Sequence, residues 1–515
     1  MSELEANTVA QVLDRAAERW GEQAAVVTAD GSVTFAELRV EARKTAEALC
    51  SAGLQIGERF AIWGANSTEW IVAALAGQLA GGVLVPINTR YKGAEAADIL
   101  RRSKARFLFV TPPFLGTDYE ALLEGHPLPD LRATVSLEAA AIERFVAQHP
   151  GDSSLDARIA RIEPDSLCDI LYTSGTTGAP KGVMCSHQQN VVTFTHWSEG
   201  VGLSAGDRYL IVNPFFHSFG YKAGWFAALL RGATIFPMPV FDTAAVLELI
   251  QAEQITFLPG APTIFQSLLN EPSLDGYDTS SLRCAVTGAA SVPVQLVKDM
   301  KHVLGFEEVY TAYGLTESTG VVSLCRSGDD FETIANTSGR AMSGVEVQIT
   351  NEQGDAMAAG EAGEVWVRGF NVMQGYLDDP AATAEAITPD GWLKTGDIGV
   401  MDERGYLKIT DRKKDMYICG GFNCYPAEIE NLLLGHPQII DVAVTGAPDA
   451  RMGEVGHAYV VTSPPHPGGD AIIDWARAQM ANYKVPRYVT QLAELPRNAS
   501  GKVQKFLLEP KQEES

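Results

Sequence analysis

The sequence predicts an α/β fold: a large N-terminal domain of layered sheets and helices, then a small C-terminal α+β domain. Three observations carry this. The 515-residue chain is too long for one ordinary core, so two or more domains are expected. Short apolar runs closed by turn formers alternate with helical patterns along most of the chain, which predicts layers with substantial parallel sheet. From "GEVWVRG" (363–369) the texture changes to short β-type runs mixed with glycine and charge. The boundary is expected near Asp411 to Lys414, giving domains 1–413 and 414–515.

Each element has its own justification. Phe35, Leu38, Ala42, Ala46 and Leu49 recur at spacings of three and four, one face of a helix. "RFAIWG" (59–64) and "ARFLFV" (105–110) are expected to be buried strands. The most apolar window, "WIVAALAGQLAGGVLVPIN", is interrupted by Gln78, Gly81, Gly82 and Pro86. It predicts a buried helix followed by a strand rather than a membrane span. "CDILYT" is another strand, so the stretch "YTSGTTGAPKG" (172–182) falls at a strand's C-terminal end, where open α/β folds place ligands. In the C-terminal part, "YPAEIENLLL" (425–434), "DVAVTGAP" (441–448), "GHAYVVT" (456–462) and "AIIDWARAQMANY" (471–483) predict the small α+β domain. The polar tail after Leu508 is expected to fray.

Bulk properties narrow the function. Hydrophobic content of 46% and charged content of 20% describe a globular protein. With 40 basic and 64 acidic residues the formal charge is −24, so the basic footprint that nucleic-acid binding needs is missing. An anionic substrate must be met by a few local lysines and arginines. The seven cysteines (Cys50, Cys168, Cys185, Cys284, Cys325, Cys419, Cys424) show no CxxC spacing, which argues against structural zinc and a disulfide framework and suits a reducing compartment. "MSELEANTVAQ" has neither a basic n-region nor an apolar h-region, so a cytoplasmic protein is expected, without integral membrane association.

"YTSGTTGAPKG" is not the commonest phosphate loop, for Pro180 and Gly182 stand where that pattern requires Gly and Ser or Thr. Its chemistry points to phosphate nonetheless. Gly175, Gly178 and Gly182 free backbone N–H groups that can form an anion-binding concavity, and Thr173, Ser174, Thr176 and Thr177 supply hydroxyls for a phosphate or its cation. Lys181 adds a positive charge. In "YGLTE" (313–317), Tyr313 can stack on a base, Thr316 can bond a phosphate and Glu317 can hold Mg²⁺. In "KTGD" (394–397), Asp397 can take both hydroxyls of a ribose. Taken singly, "KTGD" also fits a surface turn, "DRKKD" (411–415) a solvated charge run and "PRNASGK" (496–502) a mobile loop.

Taken together and in order, "YTSGTTGAPKG", "NPFFHSFG", "YGLTE", "KTGD", "DRKKDMYICGGFN" and "PRNASGK" resemble the adenylate-forming superfamily of acyl-CoA synthetases, adenylation domains and luciferases. The resemblance covers nearly the whole chain. "FHSFGYKAG" and "KDMYICGGFNCYPAEIE" look most similar to bacterial CoA ligases of carboxylic-acid catabolism, among them ligases of steroid-derived bicyclic propanoates.

That resemblance implies an ATP-dependent carboxylic acid–CoA ligase, acting through an acyl-AMP and releasing AMP and pyrophosphate. A cyclic, steroid-derived propanoate or a medium-chain fatty acid is the expected substrate, with ATP and coenzyme A as co-substrates and Mg²⁺ as cofactor. A homodimer is allowed. Carried over by motif, Thr173 and Glu317 hold Mg²⁺, while Ser174, Gly175, Thr176, Thr177, Gly178 and Lys181 embrace the β- and γ-phosphates. Gly288, Ala289, Ala290 and Tyr313 frame adenine, Thr316 bonds the α-phosphate, and Asp397 and Arg412 grip the ribose. Lys502 bridges the substrate carboxylate and the α-phosphate. The small domain is implied to swivel about a hinge at Lys414, bringing the loop of Gly420, Gly421 and Phe422 towards pantetheine.

The acyl pocket falls on Phe216, His217, Phe219, Tyr221 and Lys222. His217 either gates the carboxylate tunnel or is a packed, hydrogen-bonded histidine. Lys222, if it faces the pocket, can bond a distal carbonyl of a cyclic keto acid; if it faces solvent it carries no role. Two alternatives share these motifs: an adenylation enzyme that passes the acyl group to an acceptor other than CoA, and a luciferase-like oxygenase.

Overall fold

The computed structural model describes residues 6–151, 154–173, 180–288, 292–412, 415–419, 422–449, 451–480, 482–497 and 503–508, without the side chains of Arg412, Ile418, Phe422 and Asn423. The chain divides into two compact units. One comprises Met1–Gly288, Val292–Glu346 and Val367–Leu393; the other comprises Ala289–Ser291, Val347–Trp366 and Lys394–Ser515.

Two sheets build the first unit. The seven-stranded sheet has the spatial order Gly375–Tyr376, Lys181–Ser186, Leu167–Thr173, Val83–Pro86, Arg59–Trp63, Ala105–Val110, Ala133–Ser136. Its last five strands pair in parallel, and Lys181–Ser186 returns antiparallel beside Leu167–Thr173. The nine-stranded sheet has a central parallel set that includes Phe257–Gly260, Cys284–Gly288 and Glu308–Tyr313, with antiparallel strands at both edges. Parallel neighbours need crossover connections, and the helices supply them.

Local sequence explains the helices that matter for the site. Phe35–Ser51 begins with a capping box: Thr34 Oγ1 accepts from the Glu37 N–H at 3.2 Å, and Glu37 Oε2 accepts from the Thr34 N–H at 2.9 Å. Its expected apolar stripe, Phe35, Leu38, Ala42, Ala46 and Leu49, is fully buried. The next helix, Thr68–Leu79, is capped by Ser67 and buried at every position from Trp70 onward. It is apolar all round because protein surrounds it on all sides. The strand Val83–Pro86 follows, as the interrupted apolar window predicts. Among the described residues no helix is long and apolar enough to cross a membrane.

In the second unit, strand Gly453–Thr462 lies between Ile439–Asp449 and Tyr417–Cys419, both antiparallel, with Tyr488–Gln491 joining it in parallel. Helices Pro426–Leu433 and Gly469–Gln479 lay Ile429, Leu433, Ile472 and Ala476 on Val442, Val444 and Val460 to close a separate core. A four-stranded sheet in the order Val345–Thr350, Ala362–Gly369, Leu393–Met401, Leu407–Arg412 belongs mostly to this unit.

Candidate active site

The described ends of the phosphate-type stretch lie on two antiparallel strands. Thr173 ends one strand and Lys181 opens the return, and the two are register partners, with Thr173 Oγ1 3.5 Å from the Lys181 carbonyl. Gly182 is required by close approach: a Cβ there would stand 2.9 Å from Ile170 and 3.2 Å from the Tyr172 ring. Ser174, Gly175, Thr176, Thr177 and Gly178 lie outside the described residues. The hairpin's base is braced by Arg102, whose guanidinium donates to the Pro180 carbonyl at 2.6 Å and lies over the Tyr172 ring at 5.4 Å. Burial pushes the Tyr172 phenol up to about 12.

The "YGLTE" segment sits where the nine-stranded sheet turns back. Tyr313 is the last residue of its strand, and Gly288 ends the adjacent parallel strand opposite Ala312. Two residues expected to frame adenine thus lie at neighbouring strand ends; Ala289 and Ala290 lie outside the described residues. Gly314 is pressed so tightly against Gly320 that a Cβ would stand 2.2 Å from the Gly320 carbonyl oxygen. Thr316 and Glu317 occupy a tight turn, Thr316–Ser318, fixed by Ser318 Oγ accepting from the Leu315 N–H at 3.1 Å. Tyr313, Thr316 and Glu317, the residues expected to meet the nucleotide, are all half-buried.

A short segment around strand Gly375–Tyr376 joins this turn to the hairpin. The Met373 N–H donates to the Glu317 carbonyl, and the Leu377 N–H donates to the Gly182 carbonyl. The Tyr376 hydroxyl donates to Glu317 Oε1 at 3.1 Å, while Lys181 Nζ lies 5.0 Å from the Tyr376 ring centre. Burial, and then the Glu317 carboxylate, raise the Tyr376 phenol above its ordinary value, so it stays protonated and donates.

In the segment expected to line the acyl pocket, Asn66 knits the "NPFFHSFG" loop to the sheet. Its Nδ2 lies 3.0 Å from the Asn213 carbonyl and 3.1 Å from that of Met238, and its Oδ1 accepts from the Phe215 N–H at 2.8 Å. His217 Nδ1 accepts from the Phe219 N–H at 3.2 Å, which leaves the neutral ring's proton on Nε2. His217 is exposed, and the protein atoms around its ring lower its pKa by desolvation. A Cβ on Gly320 would stand 3.4 Å from the Ser218 Cβ, so the loop adjoins the "YGLTE" turn. Phe216 and Phe219 are half-buried. Tyr221 is buried, stacked on Trp225 at 5.0 Å with Trp70 6.2 Å away, and its hydroxyl accepts from Gln78 at 2.8 Å.

Lys222 faces neither solvent nor an open pocket. Its Nζ lies 2.9 Å from Asp169 Oδ1, both side chains are wholly buried, and Asp169 Oδ2 accepts from Asn190 at 2.5 Å. Burial pulls the Lys222 pKa down and Asp169 pushes it up; the net direction is upward, as for an ionised pair.

In the second unit, Asp397 and Arg412 are register partners on antiparallel strands. Asp397 is 5% exposed, with its N–H donating to Thr395 Oγ1 at 3.1 Å. Asp411 is not a mere surface charge: its carboxylate accepts from the Ala427 N–H at 2.9 Å, in the first turn of Pro426–Leu433. Lys414, Gly420, Gly421 and Lys502 lie outside the described residues, as does the side chain of Phe422.

Four residues that sequence reasoning missed organise the site: Asn66, Arg102, Asp169 and Tyr376. A signal existed for Asp169. An acid inside the apolar run "CDILY" and a lysine inside an aromatic cluster are both costly unless paired, so each could have been assigned to the other. Asn66, Arg102 and Tyr376 carry no such mark.

No group of three His, Cys, Asp or Glu side chains gathers among the described residues, so they form no metal cage made wholly of protein. A carboxylate and a hydroxyl are the hard oxygen donors that Mg²⁺ takes when phosphates complete its shell, and Glu317 with Thr173, at the end of the strand that leads into the expected phosphate-binding stretch, fits that set.

The AMP-binding enzyme family matches residues 13–377, and the AMP-binding enzyme C-terminal domain matches residues 428–502. The chain is 48% identical to the 3-[(3aS,4S,7aS)-7a-methyl-1,5-dioxo-octahydro-1H-inden-4-yl]propanoyl:CoA ligase of Rhodococcus jostii, over 97% of this chain and 98% of the relative. It is 47% identical to the ligase of the same name from Mycobacterium tuberculosis, over 97% of each. Among solved structures, the o-succinylbenzoate coenzyme A synthetase of Bacillus subtilis in complex with ATP and magnesium ion is similar, with a TM-score of 0.84 and 30% identity over 96% of this chain and 98% of that one. The resemblance carried by the motifs is borne out along nearly the whole chain, and the protein belongs to the AMP-binding enzyme family as an ATP-dependent, AMP-forming acid–CoA ligase.

Proposed function

We propose that the acid activated is a ring-fused keto-propanoate of the kind named for the two relatives, and that the enzyme works in the cytoplasm. The observation that carries the substrate is identity of 47–48% maintained over nearly the full length of both relatives. The half-buried phenylalanines and the neutral His217 on the acyl side suit an uncharged, bulky ring system.

The chemistry follows from what a carboxylate lacks. At neutral pH it is a poor electrophile, so one of its oxygens must become part of a leaving group. A carboxylate oxygen bonds to the α-phosphorus of ATP, the bond from that phosphorus to the bridging oxygen breaks, and pyrophosphate departs. The CoA sulfur then bonds to the acyl carbon, the carbon–oxygen bond to phosphate breaks, AMP leaves, and the thiol proton goes to solvent. Both half-reactions require fixed charge opposite developing charge.

Lys181, with the loop residues Ser174 to Gly178, is assigned to the β- and γ-phosphates and Thr316 to the α-phosphate. Gly288, Ala289, Ala290 and Tyr313 are assigned to adenine, and Asp397 with Arg412 to the ribose. Glu317 and Thr173 would hold Mg²⁺, which when bound neutralises phosphate charge. Lys502 is assigned to the meeting of carboxylate and α-phosphate, Lys414 to the hinge, and Gly420, Gly421 and Phe422 to the CoA side. The working domains are 1–413 and 414–515, a division supported by a C-terminal match that begins at residue 428. Lys222 is assigned to the support of the Tyr221 wall rather than to a substrate carbonyl, because Asp169 already compensates its charge.

A panel of acids tests the substrate. Acetate, octanoate, benzoate, palmitate and a methyl-dioxo-octahydroindenyl propanoate are each offered with ATP, Mg²⁺ and CoA, and thioester and AMP are quantified. The bicyclic acid should give the highest kcat/KM by at least about tenfold, since each well-matched apolar contact contributes on the order of 1–3 kcal/mol to discrimination. A preference for palmitate or acetate would refute the assignment.

A further inference from the structure

We propose that Tyr376 is a positioning residue for nucleotide activation, its hydroxyl aiming the carboxylate of Glu317 and its ring seating the ammonium of Lys181. This deepens the reading above and rests on its placement of Glu317 at the metal and Lys181 at the phosphates. Tyr376 acts through Glu317 and Lys181 and need not touch substrate.

Three independent observations converge on this ring. The hydroxyl donates to Glu317 Oε1 at 3.1 Å, and a bond to a carboxylate is stronger than one between neutral groups. Lys181 Nζ stands 5.0 Å from the ring centre, within the range in which a cation is held by an aromatic face. The backbone on either side of Tyr376 is tied to the same two elements, through Met373 N–H to the Glu317 carbonyl and Leu377 N–H to the Gly182 carbonyl. One side chain therefore touches a group expected at the metal and a group expected at the phosphates. Lys181 opens a strand of the seven-stranded sheet, Glu317 lies on the turn that follows a strand of the nine-stranded sheet, and the two are more than a hundred residues apart in sequence.

The pairing has a physical use. Glu317 is half-buried on a three-residue turn, and an unconstrained glutamate there would sample several rotamers. A donor on Oε1 selects one of them before nucleotide arrives. Lys181 opens the strand Lys181–Ser186, and the ring gives its long side chain a resting surface. Preorganisation of both charges lowers the reorganisation needed as the triphosphate binds.

The contributions separate by substitution. Tyr376→Phe keeps the ring and removes the hydroxyl; Tyr376→Leu removes both. Thr383→Val serves as the control, because Thr383 Oγ1 accepts from the Tyr376 backbone N–H at 2.9 Å and its loss loosens the segment without touching the ring or the hydroxyl. Equilibrium binding of a non-hydrolysable ATP analogue is measured with Mg²⁺ and with EDTA, alongside acid-dependent pyrophosphate release.

Tyr376→Phe should weaken binding about tenfold with Mg²⁺ and less than about twofold with EDTA, the loss expected for one hydrogen bond to a charged group. Tyr376→Leu should weaken binding under both conditions, by about a further twofold to fivefold. In Glu317→Gln, adding Tyr376→Phe should change little, because the two side chains act as one unit. KM for the acid should stay within about twofold throughout. Wild-type-like binding by Tyr376→Phe, or equal shifts in Tyr376→Phe and Thr383→Val, would overturn the positioning role alone. Loss of Mg²⁺-dependent binding in the unmodified enzyme would instead overturn the placement of Glu317 and Lys181, and the proposal with it.

Discussion

The ion pair between Lys222 and Asp169 shows how a single side chain can be misjudged until its partner is seen. From the sequence, a lysine among aromatic rings invites a role in reading substrate. In the structure the charge is compensated at 2.9 Å inside the protein, with Tyr221 and Asn190 completing the network around the carboxylate. Removing one partner strands the other, and such losses run to about 3–5 kcal/mol, whereas neutralising both restores much of the cost. Lys222→Met should therefore lower the free energy of unfolding by about 3–5 kcal/mol. The double variant Lys222→Met/Asp169→Asn should recover most of that loss. Urea denaturation of the first unit's transition measures both. A single variant that loses under about 1 kcal/mol would mean the pair is not what holds this wall. The identity of both residues was visible in the sequence, but their pairing was not, because it spans separate elements and leaves no periodic trace.

At the scale of elements, periodicity predicted well where one face is apolar. The stripe from Phe35 to Leu49 and the strands Arg59–Trp63 and Ala105–Val110 all formed where the apolar pattern placed them, while the stretches read only as a small α+β domain supply the helices Pro426–Leu433 and Gly469–Gln479. The return strand Lys181–Ser186 was illegible, since its opening lysine, glycine and closing serine resemble a loop; tertiary pairing with Leu167–Thr173 makes it a strand. The two-residue strand Gly375–Tyr376 is shorter than any pattern can detect, yet it joins the hairpin to the "YGLTE" turn. Arg102 was equally silent, for an arginine late in a helix ordinarily signals only a favourable end charge. Its bond to the Pro180 carbonyl gives it a second task, holding the hairpin's mouth. Arg102→Met should raise KM for ATP about threefold to tenfold while leaving the melting temperature nearly unchanged, because the group is partly exposed and its bond is local. Initial rates of pyrophosphate release against ATP concentration decide this, and an unchanged KM would remove Arg102 from the loop's support.

For the whole molecule, the two half-reactions make opposite demands on one carbon atom. During adenylation a cation must sit where carboxylate and α-phosphate meet, since two anions otherwise repel. During thioester formation that same carbonyl must be open to a thiol. A residue assigned only to the first event should be dispensable for the second, and Lys502, in the stretch Lys394–Ser515, is so assigned. Lys502→Ala should cut acid-dependent pyrophosphate release by about 10²–10³, the usual loss for one group stabilising developing charge. Synthetic acyl-AMP offered with CoA should still be converted to thioester within about threefold of the unmodified rate, because no step facing Lys502 remains. Lys414→Pro, at the assigned hinge, should show the reverse pattern: proline fixes φ and removes a donor, so a backbone rotation there is blocked while adenylation proceeds. Measuring the half-reactions separately makes the two variants a crossed pair. If Lys502→Ala depressed both steps equally, the lysine would be serving the fold or both transition states, and the division of labour between the two ends of this chain would have to be abandoned.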